Sequence, residues 1–350
     1  MKGRRRTAVV VVVVVVVALA ALGIAVAVVA ATGPGPAGPA GPAGRGTTSG
    51  ASASVAPAGA TSRSSGCGRV PVPGPGATAT PTGDVVQSLQ VDGLARSYRL
   101  AVPAGYRPTT PTPLILLFHG SGSDAVQTSI YTQMPRRASR SGFLVASPDA
   151  LSGQWQLSLP GAATADLAFV SALITDLSAR YCVDGARIYA AGISLGSEFA
   201  AIAACTASDR IAAIGLVAAE FLLRPCTGPI SVIAFHGTAD PIVAYASGGT
   251  GVALPGVHVI GVEQNLAQWA ALDDCSPVPK LLRPASQVIR RSWAGCWTGS
   301  AVVLYTVVGG GHTWPGSPIT LPVVKYGPTT DQIDASGLML RFFEGHHLAR

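Results

Sequence analysis

Gly192-Ile193-Ser194-Leu195-Gly196 is the stretch from which the fold can be read. Before it lies a short apolar run, Arg187-Ile188-Tyr189-Ala190-Ala191, entered from a turn at Val183-Asp184-Gly185. Length, composition and the preceding turn make this run a buried strand. After it comes Phe199-Ala200-Ala201-Ile202-Ala203-Ala204, rich in the best helix-forming residue. A serine between two glycines, at the junction of a strand and a helix, predicts a turn so tight that only small neighbours let the chain pass itself. Such a turn lifts Ser194 Oγ clear of the sheet, at a helix N-terminus whose dipole favours nearby negative charge.

Working outward, the chain alternates strands with helices. Ser88 to Val91 and Arg96 to Val102 flank Asp92-Gly93, a hairpin signal. Pro113 to Phe118 is a continuous apolar run emptying into His119-Gly120-Ser121-Gly122. Phe143 to Ala146 is a short strand. Asp166 to Tyr181 has apolar residues at helical spacing, with Asp166 placed as a charge-favoured cap. Strands follow at Ile211 to Ala219, Ile230 to Phe235 and Ala301 to Val308, with helices at Gly261 to Leu272 and Leu338 to Phe343. The expected architecture is a mostly parallel central sheet with an antiparallel N-terminal hairpin and helices on both faces. In such sheets active residues gather at the carboxyl ends of the strands.

Two further strand ends carry suitable side chains: His236-Gly237-Thr238-Ala239-Asp240 after Ile230–Phe235, and Gly309-Gly310-Gly311-His312 after Ala301–Val308. With Ser194 they give the order Ser, Asp, His that the α/β-hydrolase fold requires. A serine hydroxyl is a poor nucleophile near neutrality. It needs an imidazole to take its proton, and the imidazole needs a carboxylate to fix its tautomer. The candidates are therefore Ser194 as nucleophile, His312 as base and then acid, and Asp240 as the group that orients His312. Asp331 and Asp334 follow His312, the wrong order, and Asp273 and Asp274 read as a helix end. His119 and His236 precede the expected position of the base and read as structural strand-end residues. For the oxyanion hole, the backbone N–H groups of Leu195 and Ser121 are the candidates, with Gly120 as the alternative in that loop.

The chain outside this set bounds the setting. Met1-Lys2-Gly3-Arg4-Arg5-Arg6 precedes an apolar run from Ala8 to Ala31, long enough to span a bilayer and ending in a small-residue site, Val29-Ala30-Ala31. Residues 1–31 are thus a signal peptide or a transmembrane anchor, and the basic end belongs in the cytoplasm. Residues 32–83 are Gly, Pro, Ala, Ser and Thr with few large apolar residues and read as a disordered linker; residues 84–350 form the folded domain. Of the net charge of +7, Lys2, Arg4, Arg5 and Arg6 supply four, leaving +3 for the rest. No basic run follows, so no nucleic-acid partner is expected. Cys67, Cys182, Cys205, Cys226, Cys275 and Cys296 are even in number, as in an exported disulfide-bonded chain. Six cysteines allow fifteen connectivities. Nearness in sequence suggests Cys275–Cys296 and Cys205–Cys226, which leaves Cys67–Cys182. No C-x-x-C spacing suggests a metal site.

Phe118-His119-Gly120-Ser121-Gly122, Asp166-Leu167-Ala168-Phe169-Val170, Arg187 to Ser194, Phe235 to Asp240 and Gly310-Gly311-His312-Thr313-Trp314-Pro315-Gly316 together resemble the secreted esterases grouped as polyhydroxybutyrate depolymerase and feruloyl esterase. The resemblance runs from about Gly68 to the C-terminus. It implies extracellular α/β-hydrolases that cleave polyester, feruloyl or acetyl esters without a cofactor, and it carries the same triad onto Ser194, Asp240 and His312. The chain departs from the family after the nucleophile, at Leu195 and Glu198, where the family has a further small residue and an apolar or amide side chain. Trp155 and Trp314 are candidate aromatic walls for an acyl or aryl group. The expected partner is a small or oligomeric ester bound by a monomer that meets the membrane only through its N-terminal segment. A serine peptidase on the same fold and a catalytically inactive cell-surface binding module are the alternatives.

Overall fold

The run Thr112-Pro113-Leu114-Ile115-Leu116-Leu117-Phe118 shows how an unbroken apolar strand builds two cores at once. Successive side chains in a strand point to opposite faces. Leu114, Leu116 and Phe118 therefore enter one buried cluster while Ile115 and Leu117 enter the other. In this computed structural model, residues 62–348 are described apart from 73, 75–76, 80–83, 159–162, 223–224, 227 and 248–259. The N-terminal apolar run and residues 32–61 of the linker lie outside the described residues. Among the described residues no helix is long and apolar enough to cross a membrane.

Eleven strands among the described residues form a single sheet. In chain order they are β1 (Thr78–Ala79), β2 (Val85–Val91), β3 (Leu94–Ala101), β4 (Thr112–Phe118), β5 (Leu144–Pro148), β6 (Val183–Ile193), β7 (Ala213–Val217), β8 (Ser231–Gly237), β9 (Lys280–Ala285), β10 (Val288–Trp293) and β11 (Val302–Val307). The spatial order is β1-β2-β3-β5-β4-β6-β7-β8-β11-β10-β9. The six strands from β5 to β11 in that order are mutually parallel, so their carboxyl ends share one edge. The β2–β3 hairpin turns at Asp92 and Gly93, both with positive φ (50° and 79°). A two-residue turn of that hand matches the strand twist.

The helices divide between the two faces. The first cluster takes apolar residues from α3 (Ala165–Arg180), α4 (Leu195–Thr206) and α5 (Val262–Leu272). The second takes Met134 and Ala138 from α2 (Met134–Arg140) and Ala335, Met339, Leu340 and Phe343 from α7 (Ala335–Glu344). Two further helices, α1 (Ala125–Thr132) and α6 (Val323–Tyr326), lie in the connections after β4 and β11. Helix α4 is buried on nearly all sides, so it reads as an alanine run rather than an amphipathic one.

Three features differ from the sequence expectation. The folded domain starts before residue 84: Arg63 bridges to Asp184, Cys67 is bonded to Cys182, and β1 pairs with β2. Small polar residues disguise this segment, which is held by covalent and backbone bonds rather than by apolar burial. The far edge carries a second antiparallel hairpin, β9–β10, that period and composition do not reveal. Its outer strand is exposed and contains Lys280, Arg283 and Pro284, residues that protect a sheet edge from further pairing. Finally, Asp166 does not cap α3. Thr164 does, accepting from Leu167 N at 3.2 Å.

Asp166 instead is fully buried and pairs with buried Arg96 of β3 at 2.6 Å. It also accepts from Gln156 N at 2.7 Å, while Arg96 donates to Asp149 O and lies over the Phe169 ring. This pair ties the hairpin to the loop after β5 and to the start of α3. Replacing Asp166 by Ala strands a buried guanidinium. The expected loss is about 3–5 kcal/mol, measured by urea unfolding of the folded domain; a loss below ~1 kcal/mol would contradict the assignment.

Candidate active site

Ser194 is the Ncap of α4, with φ 56° and ψ −127°. A non-glycine residue there is strained by about 1–3 kcal/mol and needs its surroundings to hold it. Its N–H donates to Val217 O at 2.9 Å, and its carbonyl accepts from Ser197 N and Glu198 N to start the helix. The two flanking glycines are required by close approach. A Cβ on Gly192 would enter the Gly196 carbonyl, and one on Gly196 would collide with the backbone of Phe118 and His119. The start of α4 is thereby pressed against the end of β4. Within the described residues neither Leu195 N–H nor the N–H groups of Gly120 and Ser121 find an acceptor, as expected of first-turn and loop donors kept free.

The loops after β8 and β11 are sewn together. Thr238 N donates to Val307 O, Ala239 N to Gly310 O and Gly309 N to Thr238 Oγ1, all at 2.8–2.9 Å. Gly237 packs so closely on Gly310 and Gly311 that a side chain there would collide with their carbonyls. This close contact brings Asp240 Oδ2 to 2.8 Å from His312 Nδ1. The other oxygen, Oδ1, accepts from Ile242 N and Val243 N, both at 2.8 Å. Burial alone would raise the Asp240 carboxyl, but donors from His236 and His312 outweigh it and hold the group well below the usual carboxylate range. His312 N is fixed on Tyr326 O at 2.6 Å. The structure thus pairs two of the three candidate catalytic side chains. Ser194, directly after β6, stands at the same carboxyl edge, and its side chain makes no capping hydrogen bond to α4.

Behind Asp240 lies a second histidine–carboxylate pair. His236 Nδ1 meets Glu220 Oε2 at 2.7 Å and Oε1 at 3.0 Å, and His236 Nε2 lies 2.9 Å from Val243 O and 3.4 Å from Asp240 Oδ2. Burial opposes the charge on His236, yet the facing Glu220 and the bonds to both carboxyls raise it to about 10. Glu198, in the first turn of α4, is 4% exposed, and its side chain makes no hydrogen bond among the described residues. Burial and then repulsion from Glu220 lift it to about 8, so it is neutral at pH 7. Glu220 escapes a periodicity-based reading. The available signal is an acid placed immediately after the end of a buried strand. His236, expected as a satisfied structural residue, is buried with both ring nitrogens engaged, one of them by a carboxyl group.

Several expectations need correction or refinement. Trp155 is 3% exposed, donates from Nε1 to His119 O at 2.9 Å and stacks on Phe199. Trp314 is 1% exposed and donates to Ser336 Oγ at 3.0 Å. Neither ring is free to form a substrate wall; both are core residues whose indole N–H groups are satisfied. Trp155 supports the loop after β4 from behind. In that loop Gly120 faces Ser194: a Cβ there would lie 3.6 Å from Ser194 Cβ. Ser121 points its exposed hydroxyl to Gln154. His119 is structural, accepting from Ala150 N at 3.0 Å. Leu195 and Glu198, where the chain departs from the family it resembles, are both buried. The six cysteines pair as Cys67–Cys182, Cys205–Cys226 and Cys275–Cys296.

Comparison with known proteins places the chain among esterases. The family described as esterase PHB depolymerase matches residues 96–271, half of the chain. Feruloyl esterase B of Piromyces equi is 29% identical over 223 residues, 60% of this chain and 41% of that protein. The chain therefore spans well under half the length of that relative. Feruloyl esterase C of Emericella nidulans is 28% identical over 244 residues, covering 66% of this chain and 79% of the relative. Among solved structures, the acetyl xylan esterase from Aspergillus awamori superposes with a TM-score of 0.50 at 15% identity, covering 65% of this chain and 94% of that one. At that identity the likeness concerns the α/β-hydrolase fold alone.

Glu198 generates a pH prediction. Its folded carboxyl ionises near 8, whereas the same group in the unfolded chain ionises near 4.5. Below pH ~4.5 it is neutral in both states. Between 4.5 and 8 only the unfolded form ionises, so stability drains away as pH rises. Glu198→Gln removes that loss. The variant should match wild type in unfolding free energy at pH 4 and exceed it by up to a few kcal/mol at pH 8. Equal stabilities across that range would show that Glu198 is not held neutral.

Proposed function

The chain belongs to the esterase PHB depolymerase family, and from that premise we propose that it is a serine carboxylesterase acting through Ser194, His312 and Asp240. The observation that carries this reading is the bond of 2.8 Å from His312 Nδ1 to Asp240 Oδ2 at the strand edge from which the strained Ser194 elbow projects. A ring whose Nδ1 donates to a carboxylate presents Nε2 as the acceptor. In the proposed reaction His312 Nε2 takes the proton of Ser194 Oγ as the oxygen attacks the ester carbonyl. The resulting oxyanion is received by Leu195 N–H and by a donor of the Gly120–Ser121 loop. Collapse of the tetrahedral adduct breaks the C–O bond, and His312 returns its proton to the departing alcohol. Water then repeats the sequence on the acyl-enzyme, releasing the acid and restoring Ser194. Ser194 Oγ closes on His312 when substrate fills the site; such bonds are commonly long in free enzymes.

The substrate class follows from the relatives rather than from the pocket: feruloyl, acetyl or hydroxybutyrate-type esters. Three disulfides among the described residues support an extracellular domain. In this reading residues 1–31 direct export or anchor the chain, and the Gly/Pro/Ala segment after them spaces the domain from the membrane.

Ser194→Ala tests the reading directly. It should keep the unfolding midpoint within a few degrees and lower kcat on p-nitrophenyl acetate by ~10³-fold or more, and it should lose labelling by a fluorophosphonate probe. Full activity in the variant would sink the proposal. Preference for peptide amides over esters in the wild type would favour a peptidase, and neither labelling nor turnover by the wild type would favour a binding module.

A further inference from the structure

We propose that His236 and Glu220 are positioning residues for this reaction: His236 is held as an imidazolium between Glu220 and Asp240, and it keeps Asp240 an anion while His312 is charged. This deepens the reading of Ser194, Asp240 and His312 as the catalytic set and rests on it.

His236 is fully enclosed, and both of its ring nitrogens face acceptors. Val243 O at 2.9 Å can only accept, so Nε2 carries a hydrogen. Nδ1 lies against both oxygens of Glu220, so a second proton sits between them. A neutral imidazole with an ionised Glu220 would leave a lone pair aimed at a carboxylate, a costly arrangement away from water. The pair therefore holds one proton more than its separate neutral ring and free carboxylate. Asp240 Oδ2, 3.4 Å from Nε2, selects the imidazolium form, since a cation there faces carboxylates on both sides.

The remaining neighbours agree. From α4, Glu198 faces Glu220 but is neutral near pH 7. From the loop after β11, His312 meets the same oxygen of Asp240, Oδ2, at 2.8 Å. Tyr245 stands edge-on to His236, with ring centroids 5.8 Å apart, and its hydroxyl is engaged by Thr306 and Glu263. The pair is rigidly held. β7 ends at Val217; Ala218 follows with a strained φ of 58°, and the next carbonyls are anchored by Ser197 Oγ on Ala219 O and by Trp269 Nε1 on Glu220 O.

The chemical consequence concerns Asp240. When His312 accepts the Ser194 proton, an imidazolium appears 2.8 Å from Asp240 Oδ2. A buried carboxylate with no further donor on that oxygen competes for the Nδ1 proton, and its protonation would end its electrostatic support of the imidazolium. The His236 cation, 3.4 Å from the same oxygen, weakens its basicity. No proton crosses from His236 to Asp240; the only transfer is from Ser194 Oγ to His312 Nε2 and back. Removing the His236 charge also removes a cation near His312, so His312 holds its proton more tightly and the acid limb of kcat/KM moves to higher pH.

Nitrogen-15 NMR of the histidine rings in the wild-type protein tests the charge state without relying on any variant or on turnover. Both His236 nitrogens should remain protonated from pH 5 to 8.5. A pyridine-like Nδ1 near neutrality overturns the proposal. His236→Gln and Glu220→Gln should each lower kcat on p-nitrophenyl acetate by ~10-fold or more with KM little changed, and each should move the acid limb upward. The double variant should lose no more than the worse single one. Variants that fold but keep the wild-type kcat and pH profile give the pair a structural role only and overturn the proposal; where they fail to fold, the NMR result decides. If Ser194→Ala remains active the catalytic set is wrong, an outcome read separately from the His236 spectrum.

Discussion

The centre of this molecule depends on one steric constraint: two backbones must pass each other at Gly196 with no side chain between them. Gly196 opens the first turn of α4 and lies against the carbonyls of Phe118 and His119, while Gly192 gives way to Gly196 itself. That contact fixes how far α4 sits from the end of β4, and hence where the free N–H of Leu195 lies relative to the loop of Gly120. It also sustains the backbone of Ser194, whose φ of 56° no local preference supports. The strain is balanced by the bond to Val217 O and by burial of α4 on nearly every side. A looser junction would relax Ser194 and move it away from the N–H groups of Leu195 and the Gly120 loop at the same time.

The second organising feature is electrostatic. A chain with only 12% charged residues gathers Glu198, Glu220, Asp240, His236 and His312 under one end of its sheet. Three carboxyls close together in a dry region cannot all be ionised. The structure divides them by their donors. Asp240 has two backbone N–H groups and two imidazoles and stays an anion. Glu220 has His236. The Glu198 side chain makes no hydrogen bond among the described residues and takes a proton. One sequence motif, His236-Gly237-Thr238-Ala239-Asp240, supplies both a charge partner and the acid, because the turn after β8 folds Asp240 back towards its own strand end.

How much of this is legible in the chain depends on the kind of signal. Continuous apolar runs ending in glycine loops announce β4, β6, β8 and β11, and parallel strands then place Ser194, Asp240 and His312 at one edge without further information. The β9–β10 hairpin is hidden because an exposed edge strand with Lys280, Arg283 and Pro284 has neither alternation nor an apolar run. Asp166 misleads for a different reason: an acid at a helix start looks like a cap, and only the fold reveals that β3 delivers Arg96 to it. The tryptophans mislead likewise. Trp155 and Trp314 stand beside functional loops in sequence, but each satisfies its indole N–H inside the core, which composition cannot foretell.

Glu220 and His236 expose the deeper limit. A carboxylate after one strand and a histidine at the end of the next are ordinary residues in a linear reading, separated by 16 positions. Their significance arises only because β7 and β8 are adjacent and parallel, so that consecutive strand ends meet. The same adjacency produces the Asp240–His312 pair from β8 and β11. Parallel order thus converts sequence-distant residues into a line of alternating acids and bases: Glu220, His236, Asp240, His312. In such a line each acid has a base on one side or both, and each base has an acid on one side or both. A change in the charge of any member is felt most strongly by the neighbour it touches. This is why Glu220, at the far end of the line, is still coupled to the imidazole of His312.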